Sequence, residues 1–278
     1  MTDGTVLITG AAGFIGSHLT EALLSRGRRV VGLDNFDPFY PRPFKQQNLA
    51  EIARHPRASG FEFVEGDICD APLLTALCTR TRPEGIIHIA AKAGVRPSIA
   101  DPRAYAMTNL VGTAVVMDAA REAGCSRLVI ASSSSVYGNN PKTPFAEDDA
   151  VEHPISPYAA TKRANELMAH THHHLTGMPT AMLRFFTVFG PRQRPDLAIR
   201  KFLASIAAGQ EIDMFGDGST SRDYTYIEDI VAGVLAAYDR IPAHGYRVWN
   251  LGGNHPISLA ALIEAKSAAA KSTVATPR

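Results

Sequence analysis

The sequence predicts an α/β fold, a doubly wound parallel sheet with a small C-terminal substrate-binding lobe. Three observations predict it. Short β-branched runs alternate with helically spaced segments through the first half of the chain. The first of those runs ends in a glycine-rich turn that opens a helix. Past Gly177 the alternation loosens into a segment rich in Arg, Pro, Gly and Asp.

"TVLITG" is a short apolar strand ending in glycine, and "GSHLTEALLSRG" has helical spacing and closes on Gly27. "RVVGLDN", "FEFVEGDI" and "GIIHIAA" are the next strands. Between Asn35 and Lys45, Pro38, Pro41 and Pro43 argue for a loop with no regular element. "AYAMTNLVGTAVVMDAAREAG" reads as one long helix ending at Gly124, and "CSRLVIASSS" as a strand running into a polar loop. "PTAMLRFFTVFG" is a strand and turn, "YIEDIVAGVLAAYDR" a helix and "RVWNLGG" a strand. Alternation of this kind calls for right-handed crossovers in a parallel sheet. The expected division is a sheet domain over 1–190, rejoined by 225–253. A small substrate lobe covers 191–224 and 254–278. After Ala265 the residues are small and polar with no motif, and this lobe is expected to be shortened.

The chain has 278 residues, 45% apolar and 20% charged, with a formal charge of +1. That composition is globular and gives no electrostatic case for a nucleic acid or membrane partner. Cys69, Cys78 and Cys125 are scattered, with no paired spacing for a disulfide framework or a zinc site. No signal peptide or spanning segment is legible, so a reduced, cytoplasmic setting is expected.

"TGAAGFIG" places Gly10, Gly13 and Gly16 after the first strand, with Phe14 and Ile15 between the last two. Gly10 permits the tight turn, Gly13 the approach of a pyrophosphate, and Gly16 close helix–strand packing. The helix start then offers amide donors to phosphates. Asp34 ends the second strand, where a carboxylate accepts both ribose hydroxyls of an adenosine and repels a 2′-phosphate. NAD is therefore expected over NADP. Asn35 beside it, and Asp67 and Ile68 after the third strand, belong to the adenosine end. Ala90, Ala91 and Lys92 follow the fourth strand, and Ser132 sits at the end of the fifth.

"IASSSSVYG" follows a strand at its carboxyl end, where doubly wound sheets bind ligands. "SPYAATK" then places Tyr158 and Lys162 one helical turn apart. A strand-end Ser, a helical Tyr and a Lys one turn on form a proton-transfer set. A free phenol has a pKa of about 10, too high for a base at neutral pH. One cation at about 5 Å in an effective dielectric near 20 supplies about 3 kcal/mol toward the phenolate. Lys162 is expected to be that cation, with an oxidised nicotinamide as a second.

These residues resemble the extended short-chain dehydrogenase/reductase family, the nucleotide-sugar epimerases and dehydratases. "TGAAGFIG", "HIAAKAGVRPS", "TNLVGT", "SSSSVYG", "PYAATK", "RFFTVFGPRQRPD" and "RDYTYIEDI" carry the resemblance, in that order. It implies a Rossmann fold, tightly held NAD, a Ser/Thr–Tyr–Lys set and a nucleoside-diphosphate sugar. Lys162 would also hold the nicotinamide ribose. "AGVRPS" and "GPRQRPD" look most like UDP-glucuronate 4-epimerases. By this resemblance Ser133 takes the catalytic Ser/Thr place. Ser134 and Ser135 stand where the dehydratases carry Asp and Glu, and Ser135 where uronate decarboxylases carry Glu. That absence favours epimerisation of UDP-glucuronate through a 4-keto sugar.

A β-keto acid loses CO₂ when its carboxylate aligns with the carbonyl π system, so the carboxylate must be pinned. Arg192 and Arg194 can do so bidentately, helped by Thr187 and Ser134. The resemblance puts Arg222 on the diphosphate and Asn109 in support of the cofactor-side strand ends. It leaves Lys92, Val95 and Arg96 within reach of cofactor or substrate. It implies homodimers paired through the helices after "DPRAYAM" and "SPYAATK". A UDP-glucose/galactose epimerase, a uronate decarboxylase and an NAD-binding protein without turnover remain open. His170, His172, His173 and His174 are read as a solvated helix face with no metal, Cys125 as a packed thiol, and Trp249 as core.

Overall fold

The computed structural model describes residues 4–208, 210, 218 and 220–265. The tail from 266 onward, the last part of the lobe expected over 191–224 and 254–278, lies outside the described residues, as do 1–3, 209, 211–217 and 219.

β1 (Thr5–Thr9), β2 (Arg29–Asp34), β3 (Phe61–Glu65), β4 (Gly85–His88), β5 (Arg127–Ser133), β6 (Thr180–Phe185) and β9 (Tyr246–Leu251) form one sheet in the order β3-β2-β1-β4-β5-β6-β9. Every pairing in it is parallel. A parallel sheet buried on both faces explains strands such as "VLI" and "LVIA", apolar at successive positions. A second sheet joins β7 (Thr187–Phe189) parallel to β8 (Ser221–Tyr226), and β8 antiparallel to β10 (Pro256–Ser258).

Helices cover both faces of the large sheet. α1 (Phe14–Ser25), α2 (Arg42–Ala53) and α9 (Ile227–Arg240) lie on one side, where Leu19, Leu23, Ile52 and Val234 pack on Val6, Ile8 and Leu183. α3 (Ala71–Thr81), α6 (Gly112–Glu122) and α7 (Pro157–Thr176) lie on the other, where Leu74, Val116 and Ala169 pack on Leu7, Ile86 and Leu128. α4 (Val95–Ala100) and α5 (Pro102–Ala106) precede α6, and α8 (Ala198–Ala207) follows β7. Among the described residues no helix is long and apolar enough to cross a membrane.

Several elements differ from the sequence reading, among them β8, a strand over Ser221–Tyr226 where an irregular segment was expected. The proline-rich loop ends early, because α2 starts at Arg42 with Pro43 in its first turn. Proline is tolerated there, since that amide has no intrahelical partner. The long helix is interrupted by a π-helical turn, Met107–Val111, between α5 and α6. Within the segment read as irregular, "AIRKFLASIA" has the apolar spacing of a helix and forms α8. Cys125 is buried and donates to the Pro83 carbonyl at 3.3 Å. Trp249 is partly buried, edge-on to His244. His170 and His173 pack against the Tyr246 ring, and His173 Nδ1 lies 2.8 Å from the Met178 carbonyl.

Candidate active site

A cavity of about 460 Å³ runs along the carboxyl ends of the strands. Its floor is the β1–α1 turn. Gly10 has φ +75, and a β-carbon there would lie 2.8 Å from the Ala90 amide nitrogen. A β-carbon on Gly16 would lie 2.1 Å from the Gly10 carbonyl oxygen, so α1 reaches this depth only because Gly16 is bare. The first turn of α1 carries no acidic residue and no side-chain cap, which leaves its amides to face the cavity.

At one end Asp34 is buried and accepts from Ala12 N at 3.1 Å and Phe36 N at 2.9 Å. Lys45 Nζ stands 3.8 Å from the same carboxylate and donates to the Asp37 carbonyl at 2.9 Å. Burial pushes the Asp34 carboxyl up, while Lys45 and the two amides oppose it. Lys92 pairs with Asp37 at 2.8 Å. Tyr40, Asp37 and Lys45 line this end but were missed in the sequence, because the prolines there read as structureless loop.

At the other end Ser133, Ser135, Tyr158, Lys162, Thr187 and Arg194 meet on one wall. Tyr158 and Lys162 share a face because Ser156 caps α7 through Ala159 N and Pro157 fixes its first turn. Ser133 Oγ donates to Ser135 Oγ at 3.1 Å. Burial pushes the Tyr158 phenol up, and the Ser133 hydroxyl and the charge of Arg194 pull it only partly back. Arg194 is thus a cation beside the phenol that the sequence reading had placed on the sugar carboxylate, and Lys162 shares the wall with both. The Lys162 ammonium is turned to the Ala131 carbonyl at 2.7 Å, because a buried charge needs an acceptor and the end of β5 provides one. Burial pushes Lys162 down to about 8, opposed by the Glu166 carboxylate.

Of the residues read from the sequence, Gly10, Gly13, Phe14, Ile15, Gly16, Asp34, Asn35, Ile68, Ala90, Ala91, Lys92 and Ser132 line the cavity, as does Val95. Six do not. Asp67 turns to Asn35 and to Cys69 N, both at 2.8 Å. Asn109 sits in the π turn, where its amide grips both backbone groups of Lys92, at 2.8 and 3.0 Å, and Thr161 Oγ1 at 3.0 Å. It supports the wall from behind. Ser134 and Arg96 lie off the wall. Arg222 is exposed and donates to the Ser221 carbonyl. Arg192 is held by Glu21 of α1, at 3.1 and 2.5 Å, and lines a neighbouring cavity of about 510 Å³, so of the expected pair of arginines only Arg194 lines the Tyr158 cavity.

A buried network beneath the wall was also missed. Arg184 of β6 pairs twice with Glu166 of α7, both at 2.9 Å, and donates to the Tyr137 hydroxyl at 2.9 Å. Ser132 donates to Glu166 at 2.7 Å. Glu166 falls one helical turn past Lys162, a spacing that could have pointed to it.

A dinucleotide fits this cavity on the chain's own features: bare glycines where β-carbons would collide, free helix amides and a buried strand-end carboxylate. The sequence matches the NAD dependent epimerase/dehydratase family over residues 6–252. It is 41% identical over 275 residues to a probable UDP-glucuronate 4-epimerase of Rhizobium meliloti, covering 93% of this chain and 80% of that one. It is also 41% identical over 263 residues to a UDP-glucuronate 4-epimerase of Thermodesulfobacterium geofontis, covering 94% and 79%. The fold superposes on the UDP-glucuronic acid 4-epimerase of Bacillus cereus, solved with UDP-glucuronic acid and NAD, at a TM-score of 0.83 and 36% identity, covering 92% of this chain and 80% of that one. The chain belongs to the NAD dependent epimerase/dehydratase family.

Proposed function

We propose that this protein inverts C4 of UDP-glucuronate to give UDP-galacturonate, with NAD as its cofactor. The observation that carries this reading is Arg194, a guanidinium lining the cavity beside the Tyr158 phenol. Its Nε and Nη2 pair with Asp196 at 3.0 and 2.7 Å. Nη1 makes no hydrogen bond to the described residues and is left for a sugar carboxylate. Arg194, with Ser135 and Thr187, holds that carboxylate out of line with the C4 carbonyl, which blocks loss of CO₂.

Tyr158 accepts the C4 hydroxyl proton and returns it after the 4-keto sugar has turned over. Ser133 orients the C4 oxygen by hydrogen bonding. NAD, when bound, supplies the acceptor and donor of the C4 hydrogen with its electron pair, and a positive charge that favours the phenolate. Asp34 and Lys45 hold the adenosine ribose. Asn109 fixes the Lys92 strand end against α7.

The large sheet serves as the cofactor-binding domain, and the second sheet with α8 as the substrate lobe. Met107 and Val111 beside α6, and Leu167 on α7, are exposed apolar residues suited to pairing with a second copy. Free Cys69, Cys78 and Cys125 suit a reducing cytoplasm.

Incubation of the purified protein with UDP-glucuronate and with UDP-glucose, read by NMR, tests the reading. UDP-galacturonate is the expected product. UDP-pentose would make it a decarboxylase, UDP-galactose a hexose epimerase, and no product a binding protein.

A further inference from the structure

The loop at residues 190–196 brings only one of its two arginines to the Tyr158 cavity. Arg194 lines the cavity. Arg192 has φ 63, a left-handed conformation that its β-carbon disfavours. The turn is closed locally by Gln193 N donating to the Gly190 carbonyl at 3.2 Å, which leaves the Arg192 side chain to be placed by a partner outside the loop. Its guanidinium reaches the α1 helix and pairs with both oxygens of Glu21, and both side chains are largely buried, 18% and 25% exposed. Between the arginines, Gln193 is buried and donates to the Val188 carbonyl at 3.0 Å. A strained residue held by a long-range bidentate pair, two positions from a cavity guanidinium, is an over-determined turn with a use.

We propose that Glu21 is a positioning residue for substrate selectivity: through Arg192 it holds the loop in the conformation that presents Arg194 to the sugar. Glu21 touches neither cofactor nor sugar. It fixes the loop to α1, the helix whose first turn faces the cofactor cradle. The selectivity it sets is for a nucleotide uronate over a neutral nucleotide hexose. The inference rests on the reading that Arg194 meets the sugar carboxylate.

The test uses the full-length, NAD-loaded protein, titrated with UDP-glucuronate and with UDP-glucose. Glu21→Gln is expected to weaken UDP-glucuronate about tenfold, equivalent to about 1.4 kcal/mol. UDP-glucose affinity and NAD content are expected to stay unchanged. KM for UDP-glucuronate rises more than kcat falls, and the share of UDP-pentose rises. Glycine adopts positive φ freely. The Glu21→Gln/Arg192→Gly double variant therefore recovers selectivity that Glu21→Gln/Arg192→Ala does not. Equal weakening of both sugars, unchanged selectivity, or loss of NAD with early melting overturns the inference. Arg194→Ala, titrated in parallel, separates the two claims. If it fails to weaken UDP-glucuronate selectively, the carboxylate reading falls and takes this inference with it. If it does so while Glu21→Gln does not, only the positioning role falls.

Discussion

Replacing Lys162, the ammonium expected to hold the nicotinamide ribose beside Tyr158, with methionine is expected to give a protein that is more stable and inactive. Burial lowers the ammonium from 10.5 to about 8. At about 1.4 kcal/mol per pH unit, keeping it charged inside the fold costs about 3 kcal/mol. Methionine removes that cost but leaves the Ala131 carbonyl without its donor, a loss of about 2 kcal/mol. The net gain at about pH 7 is therefore about 1 kcal/mol. Its sign depends on pH. Below about 8 the ammonium is charged in both states and the full cost is present. Between about 8 and 10.5 the unfolded chain keeps a proton that the folded chain has lost, so wild-type stability rises with pH. Above 10.5 the amine is neutral in both states and only its hydrogen bond remains, so wild type becomes the more stable. Urea denaturation of both proteins freed of NAD, across that range, measures the crossing, and the NMR assay measures turnover. A methionine variant that is less stable by the same amount at every pH would refute the reasoning, as would one that still turns over.

Gly16→Ala is expected to lose NAD and cost about 3 kcal/mol, because its β-carbon would lie 2.1 Å from the Gly10 carbonyl oxygen and 2.9 Å from Ala11 Cα. Cofactor content after gel filtration and a melting curve check both. Arg184→Met leaves the buried Glu166 carboxylate with Arg163, at 3.1 Å, as its cationic partner and is expected to cost about 3 kcal/mol, read in urea, with Glu166→Gln/Arg184→Met recovering most of it. His88 is fully buried between Thr9 Oγ1 at 2.6 Å and Thr113 Oγ1 at 3.0 Å, and burial, reinforced by Lys162, lowers it to about 3. Its folded value lies below its unfolded value of 6.5, so stability falls with acidification. About 2 kcal/mol is expected to be lost between pH 6.5 and about pH 5, and a His88→Gln variant should show a flatter profile over that interval.

The glycine turn, Asp34 and the Tyr158–Lys162 face were legible because each depends on a few neighbours in sequence: a turn, a strand end, one helical period. The direction of the Lys162 ammonium was not, because it is decided by a carbonyl at the end of β5. Arg192 and Arg194 look alike in the sequence. A left-handed turn and a carboxylate on α1 separate them, and neither shows at that spacing. Lys45 was hidden by prolines that proved compatible with a helix start. Glu166 and Arg184 lie on different elements and became a pair only through the packing of α7 on the sheet.

Near-ultraviolet titration of phenolate absorbance, wild type minus Tyr158→Phe, tests most directly whether Tyr158 is the base. In NAD-loaded protein the difference should show one phenol ionising below the ordinary tyrosine value of about 10, and in NAD-free protein above it. A difference that titrates at the same pH in both forms, or above the ordinary value in both, would contradict the account.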